Sequence, residues 1–216
     1  SMRFTKALFT TALFGASVFS FQSTAWADTT EQQFQQGAEA TTRGDDQTTF
    51  KRWLPLAEQG DATAQYYLGN MYSTGRGVKQ DDVEAVKWYR KAVKQGLAEA
   101  QLMLGSMYGQ GRGVKQDDFE AVKWFRKAAE QGLALAQFCL GEMYFHGKGV
   151  KQDYVEAVKW YRKAAEQGLA PAQVKLGAAY ILGKGVQVNK SLAKEWFGEA
   201  CNNGEQKGCE FYGKLN

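Results

Sequence analysis

A segment returns every 36 residues along this chain, marked by Trp88, Trp124, Trp160 and Trp196 and by Gly60, Gly96, Gly132, Gly168 and Gly204. A fixed period of this length means stacked units rather than one globule. Each unit is too small to bury its apolar face alone and must do so against its neighbours, which gives an elongated body with an extended surface. Such a surface is suited to holding something, so function begins as a question of binding.

Of the 216 residues 44% are hydrophobic and 23% charged, an ordinary globular composition. The first stretch stands apart. Arg3 and Lys6 precede an apolar run from Ala7 to Phe21, and Ala25-Trp26-Ala27 supplies the small-x-small pattern that a signal peptidase cuts before Asp28. Residues 1–27 are therefore expected to be a Sec-type leader cleaved after Ala27, leaving a periplasmic or secreted chain. The alternative is a short membrane anchor. Thr10, Thr11, Ser17 and Ser20 interrupt the run, which falls short of the ~20 apolar residues that span a bilayer, so no stable membrane insertion is expected after leader removal. Ser1 ahead of Met2 reads as a cloning scar. Without Arg3 and Lys6 the 27 basic residues become 25 against 23 acidic ones, a balance of +2. That near-neutral charge gives no footprint for nucleic acid.

Written in register, the repeats are 61–97, 98–133, 134–169 and 170–205, preceded by a shorter N-terminal capping unit over 28–60 and followed by a closing helix over 206–216. Each reads Ala-Gln-x-x-Leu-Gly, then a glycine loop, then Asp-x-x-Glu-Ala-Val-Lys-Trp in its first three copies. Both halves have helical periodicity: Ala85, Trp88, Tyr89 and Ala92 form one apolar stripe, while Glu84, Lys87, Arg90, Lys91 and Lys94 take the wet side. Each unit is thus two antiparallel helices. Gly75-Arg76-Gly77 and its equivalents follow the first helix, where a glycine can close the helix end in the left-handed conformation; a phosphate loop is rejected, because the motif follows a helix and lacks a third glycine. Asp81, Asp117, Asp153 and Asn189 are expected to cap the second helices, with Glu84, Glu120 and Glu156 completing a capping box. Gly69, Gly105, Gly141, Gly177 and Gly213 lie inside first helices, a recurrent cost of about 1 kcal/mol each relative to alanine, and so imply close helix contact, with the tryptophans filling the adjoining space. Pro55 is expected to kink or end the second helix of the N-terminal unit, where counting back from Gly60 sets Trp53 opposite Tyr89 and Arg52 opposite Trp88.

Cys201 and Cys209 flank Asn202-Asn203-Gly204, a turn between two predicted helices. In an exported chain this spacing reads as a staple rather than a metal pair. Cys139 reads as a small apolar filler, with a free thiol or an intermolecular bridge remaining open.

The pattern Ala-x-x-x-Leu-Gly-x-x-Tyr-x-x-Gly-x-Gly-Val…Asp-x-x-x-Ala-x-x-Trp-x-x-x-Ala-x-x-x-Gly, running four times from Asp61 to Glu205, resembles the Sel1-like repeat, a relative of the tetratricopeptide repeat. The resemblance implies an all-α, right-handed α/α solenoid of antiparallel helix pairs. The Cys201–Cys209 spacing is similar to that of the secreted cysteine-rich Sel1-like proteins of Helicobacter, whose repeats such pairs bridge. Elsewhere the equivalent positions are Ala165 with Gln173, Ala129 with Gln137 and Val93 with Gln101, so the resemblance implies the staple at the last junction alone.

Comparison of the units separates framework from freedom. Gln65, Leu68, Gly69 and Tyr72 recur, whereas Thr63, Tyr67, Asn70 and Thr74 become Glu99, Met103, Ser106 and Gln110, then Leu135, Cys139, Glu142 and His146, then Pro171, Lys175, Ala178 and Leu182. These places fall on one helical stripe. The tetratricopeptide likeness implies that first helices line a concave groove, so Tyr67, Asn70, Met103, Ser106, Gln110, Glu142, His146 and Lys175 are expected to contact a protein or extended peptide. The oligomeric state is not legible. No cofactor is expected, and His146, the sole histidine, excludes a multi-histidine metal site. Some cysteine-rich relatives are described as penicillin-binding or β-lactamase-like, which draws notice to Ser191-Leu192-Ala193-Lys194. Without Ser-Asp-Asn or Lys-Thr-Gly partners this Ser-x-x-Lys is weak, and Ser191 follows a helix cap where its hydroxyl is ordinary. A non-catalytic adaptor is the expected function; a purely structural spacer in an envelope assembly is the remaining alternative.

Overall fold

The computed structural model describes residues 30–215, so the expected leader lies outside it. The described residues form helices joined by turns and loops, with no strand among them. In chain order these are α1 (30–42), α2 (Asp46–Glu58), α3 (Ala62–Thr74), α4 (Asp82–Val93), α5 (Ala98–Gln110), α6 (Asp118–Glu130), α7 (Ala134–His146), α8 (Tyr154–Glu166), α9 (Ala170–Leu182), α10 (Lys190–Asn202) and α11 (Gln206–Lys214). The described residues divide into two compact units, the first ending at Gln80 and the second beginning at Asp81. None of the described helices is long and apolar enough to cross a membrane.

In the second unit consecutive helices from α4 to α11 pack pair by pair. The second helices of the repeats start as the sequence predicts. Asp81, Asp117 and Asp153 accept from backbone N–H groups of Glu84, Glu120 and Glu156 at 3.0 Å, and Asn189 from that of Leu192 at 3.0 Å. These bonds satisfy helix-start donors. The glutamates of the expected capping box turn to Lys87, Lys123 and Lys159 one turn along. The first helices α5, α7 and α9 start at Leu97, Leu133 and Leu169, which have no capping side chain; Leu133 and Leu169 pack on the core instead.

The glycine loops serve two purposes, of which the sequence showed one. Gly111, Gly147 and Gly183 close α5, α7 and α9 with φ near +65°. The second glycine presses onto the preceding repeat. A Cβ at Gly113 would lie 2.1 Å from the Asp82 carbonyl oxygen, and one at Gly149 would lie 2.2 Å from that of Asp118. Between the two glycines, Arg112 forks onto Asp82 with Nε–Oδ2 and Nη2–Oδ1 distances of 3.1 and 2.6 Å.

Gly105, Gly141 and Gly177 do mark close approach, but the ring against each belongs to the residue after the tryptophan. Phe125, Tyr161 and Phe197 lie 2.7–2.8 Å from where a Cβ would stand. Trp88 and Trp160 are buried, whereas Trp124 and Trp196 are half-buried beside them. Gly213 departs from the expectation. Nothing lies within 4 Å of its virtual Cβ, because α11 ends the described chain with no second helix to face. Gly208 makes the close approach there, 2.7 Å from the Ala200 Cβ, and α11 is tied to α10 by the Cys201–Cys209 disulfide.

The first unit is built from α1, α2 and α3. Trp53 stands against Gly37 as Tyr161 stands against Gly141, the register that counting back from Gly60 gives, and its indole N–H donates to the Phe34 carbonyl at 3.1 Å. Pro55 does not end the helix: α2 runs through it to Glu58. Pro55 sits in the last turn on the exposed side, so the carbonyl of Lys51 that loses its helical partner is open to water.

Candidate functional site

Within the second unit the repeats are held by polar bonds that recur with the period. Gln137, 5% exposed, donates to the Ala129 carbonyl at 3.2 Å and accepts from Gln167 at 2.8 Å; Gln167 also donates to the Gly132 carbonyl at 2.9 Å. Asn203 repeats the amide bond to Gln173 at 3.0 Å. Arg90, Arg126 and Arg162 donate to the hydroxyls of Tyr108, Tyr144 and Tyr180 at 2.9, 2.6 and 2.8 Å. These residues recur at fixed offsets in the sequence, a signal that marks them as structural without saying which of them meet. They are framework: the buried glutamines must find partners, and the Arg–Tyr bonds recur with the same period.

The variable stripe lies outside this framework, on the half-exposed and exposed faces of α5, α7 and α9. On α5 Met103 and Ser106 are half-buried and Gln110 exposed, the last donating to the Ser106 hydroxyl at 3.1 Å. On α7 the Glu142 carboxylate is already engaged. It accepts from the Tyr161 hydroxyl and pairs with Lys175 of α9 at 2.9 Å, with His146 Nε2 3.8 Å away. Burial first, and then the Glu142 bond, hold the Tyr161 hydroxyl far above its ordinary pKa. The Lys175 and Lys184 ammonium groups lie 5.8 and 5.2 Å from the Phe145 ring centre. Three of the expected contact residues, Glu142, His146 and Lys175, are thereby brought together; Met103, Ser106 and Gln110 form a separate group on α5. Leu135 and Leu182 on the same helices are 47% and 63% exposed.

In the first unit Tyr67 and Asn70 lie on α3. The Tyr67 ring stacks on Trp53 at 4.8 Å, leaving the residue 37% exposed, and Asn70 is half-buried.

Of the remaining candidates, Cys139 is a free, partly buried thiol packed on the core, and burial raises its pKa to about 11. It behaves as the apolar filler its position implies. Ser191 is exposed in the first turn of α10, and the Lys194 ammonium lies 5.2 Å from the Tyr212 ring centre. Among the described residues no three His, Cys, Asp or Glu side chains gather as metal ligands.

Antiparallel helix pairs stacked at a constant period define an α/α solenoid, a class of scaffold. The Sel1 repeat model matches residues 62–97, 98–133, 134–169 and 170–205, and the chain belongs to the Sel1-repeat family. A solved structure of c5321, a protective antigen present in uropathogenic Escherichia coli strains, is 39% identical, covers 91% of this chain and superimposes with a TM-score of 0.83. This chain spans 43% of that protein. A Sel1 repeat protein from Oxalobacter formigenes is 37% identical over 84% of this chain and 74% of its own, with a TM-score of 0.80. No curated protein matches the chain. Sel1-repeat folds are generally non-catalytic scaffolds typical of protein–protein interaction.

Proposed function

We propose that the chain is an exported adaptor that holds an extended protein segment on the face formed by the first helices α5, α7 and α9 of its repeats. One observation carries this reading. On α5, α7 and α9 the buried positions keep one chemistry, Ala100, Gln101 and Leu104 becoming Ala136, Gln137 and Leu140 and then Ala172, Gln173 and Leu176. The half-buried positions Met103, Cys139 and Lys175 and the exposed positions Gln110, His146 and Leu182 differ at every step. Leu135 and Leu182 add exposed apolar area to the same helices, which a partner segment would cover. In the first unit Tyr67 and Asn70 occupy the same register. The Cys201–Cys209 bond supports a location outside the cytoplasm, since such bonds persist in oxidising compartments, as does the leader-like sequence over 1–27.

A photo-crosslinking amino acid at Gln110, His146 or Lys159 tests the face. With envelope extract, the first two positions should give one discrete adduct and Lys159, on an outer face of α8, none. Met103→Glu should remove the adduct without altering the fold. Adducts spread evenly over the three positions would sink the proposal, and no adduct at any of them is the outcome for a spacer.

A further inference from the structure

The second helices carry a device on their outward faces that the last repeat inverts. Lys91 lies 4.0 Å from the Trp88 ring centre, Lys127 4.7 Å from that of Trp124, and Lys163 4.4 Å from that of Trp160. In each case the ammonium comes from three residues along the same helix and sits on the negative face of the indole. The residue before each tryptophan is also lysine: Lys87, Lys123 and Lys159. In α10 the same places read Glu195, Trp196 and Glu199, and Gly198 stands where Arg90, Arg126 and Arg162 stand elsewhere. Both cations and the arginine are gone. Two carboxylates and a hydrogen atom replace them.

A cleft of about 850 Å³ lies at these positions, lined by Trp196, Tyr212, Gly198, Glu166, Glu195 and Glu199 among others. Trp196 is half-buried, with the rest of its ring packed on the core of Val158, Ala165 and Leu176. Tyr212 reaches into the space above Gly198, 3.3 Å from where a Cβ would stand. The Lys194 ammonium lies 5.2 Å from the centre of the Tyr212 ring. All of these residues belong to the second unit.

We infer that this cleft binds a cationic side chain, arginine foremost, presented by a protein partner. Three sites in the same chain show a cation resting on the equivalent indole, and the fourth has exchanged its own cation for the carboxylates that would receive one from outside. Trp196, Glu195 and Glu199 line one cleft, so a guanidinium that stacks on the indole and donates to the carboxylates can use all three, whereas an ammonium acts as a single point charge. The site lies on a second helix, apart from the variable stripe of the first helices, and stands or falls without it.

The experiment uses the full chain, disulfide intact, and follows the indole N–H resonances by two-dimensional NMR during titration with N-acetyl-arginine amide, N-acetyl-lysine amide and N-acetyl-glutamine amide. The arginine amide should shift the Trp196 signal saturably with a Kd on the order of 1 mM, more tightly than the lysine amide. Those of Trp88, Trp124 and Trp160, already covered by lysine, should stay in place. A Gly-Arg-Gly peptide binding at least as tightly identifies a side chain in a polypeptide as the ligand; tighter binding of the free amide would point to a small guanidinium compound and overturn the assignment to a protein partner. Glu199→Lys, which restores the arrangement of the other repeats on an exposed position, should weaken binding at least tenfold, and Glu199→Gln should weaken it less. Equal shifts with the glutamine amide, no saturable shift at about 10 mM arginine amide, or binding unchanged in a folded Glu199→Lys protein would each refute the inference.

Discussion

Replacement of Gly149 by alanine isolates the packing of a glycine loop onto the repeat before it. Gly149 has φ of +65°, and a Cβ there would lie 2.2 Å from the carbonyl oxygen and 2.4 Å from the carbonyl carbon of Asp118. Both neighbours are backbone at the start of α6, so no rotamer change relieves the clash. Gly168 is the matched control, with φ of +86° and nothing within 4 Å. An alanine at Gly168 costs only the left-handed backbone, about 1–2 kcal/mol. At Gly149 the same term is joined by overpacking of about 1–3 kcal/mol, for a total of about 2–5 kcal/mol. The assay is urea denaturation of both variants, read by far-ultraviolet circular dichroism and by tryptophan fluorescence, because repeat arrays can unfold in segments and separate the two probes. Each kcal/mol moves Tm by about 2–4 °C in a chain of this size, so a thermal scan should rank the variants identically. Gly149→Ala no less stable than Gly168→Ala would refute the close approach of loop to helix.

Reduction of Cys201–Cys209 should lower stability by about 2–3 kcal/mol, the scale for a short closed loop, and hydrogen exchange should locate the loosening in α11; equal protection of α11 amides before and after reduction contradicts this. Tyr161 predicts a pH effect. Its folded pKa is raised by burial and by the Glu142 bond, so the native state holds its proton more tightly than the unfolded chain, and the contribution is whole below the unfolded tyrosine value of about 10 and lost as pH rises beyond it. Tyr161→Phe, the ring found at Phe125 and Phe197, should flatten the decline in urea midpoint between about pH 9 and 11, and an unchanged slope would count against it.

The helix pairs, the Asp caps and the cysteine bridge were legible because each depends on local chemistry repeated at a fixed interval. What escaped depends on which distant residue comes near. Gln137 recurs visibly, but the bonds to Ala129 and Gln167 need the turn between α6 and α7 in place. The second loop glycine looked like part of a helix stop, because the Asp118 carbonyl it rests on is 31 residues earlier. That the helix runs on past Pro55 escaped because propensity says nothing of how close the helix end is or whether water reaches it. In the candidate site the positions of Glu142 and Lys175 on one stripe followed from helical periodicity, whereas their mutual pairing needed adjacent repeats side by side. The reversal at Glu195 and Glu199 stands in the letters but acquires meaning only beside the three lysine–indole contacts.

The bonds from Gln167 reach back 35 residues to Gly132 and 30 to Gln137, and that from Arg126 reaches forward 18 to Tyr144. Excision of 98–133 would bring Gly96 to the place of Gly132, Arg90 to that of Arg126 and Asp82 beneath Gly149, so every partner finds a substitute of the same kind. Loss of one residue fewer misaligns all of them together. The chain can therefore lengthen or shorten only in whole copies, and each copy brings its own outward letters, so that the surface can be rewritten by duplication and deletion while the interior is never consulted.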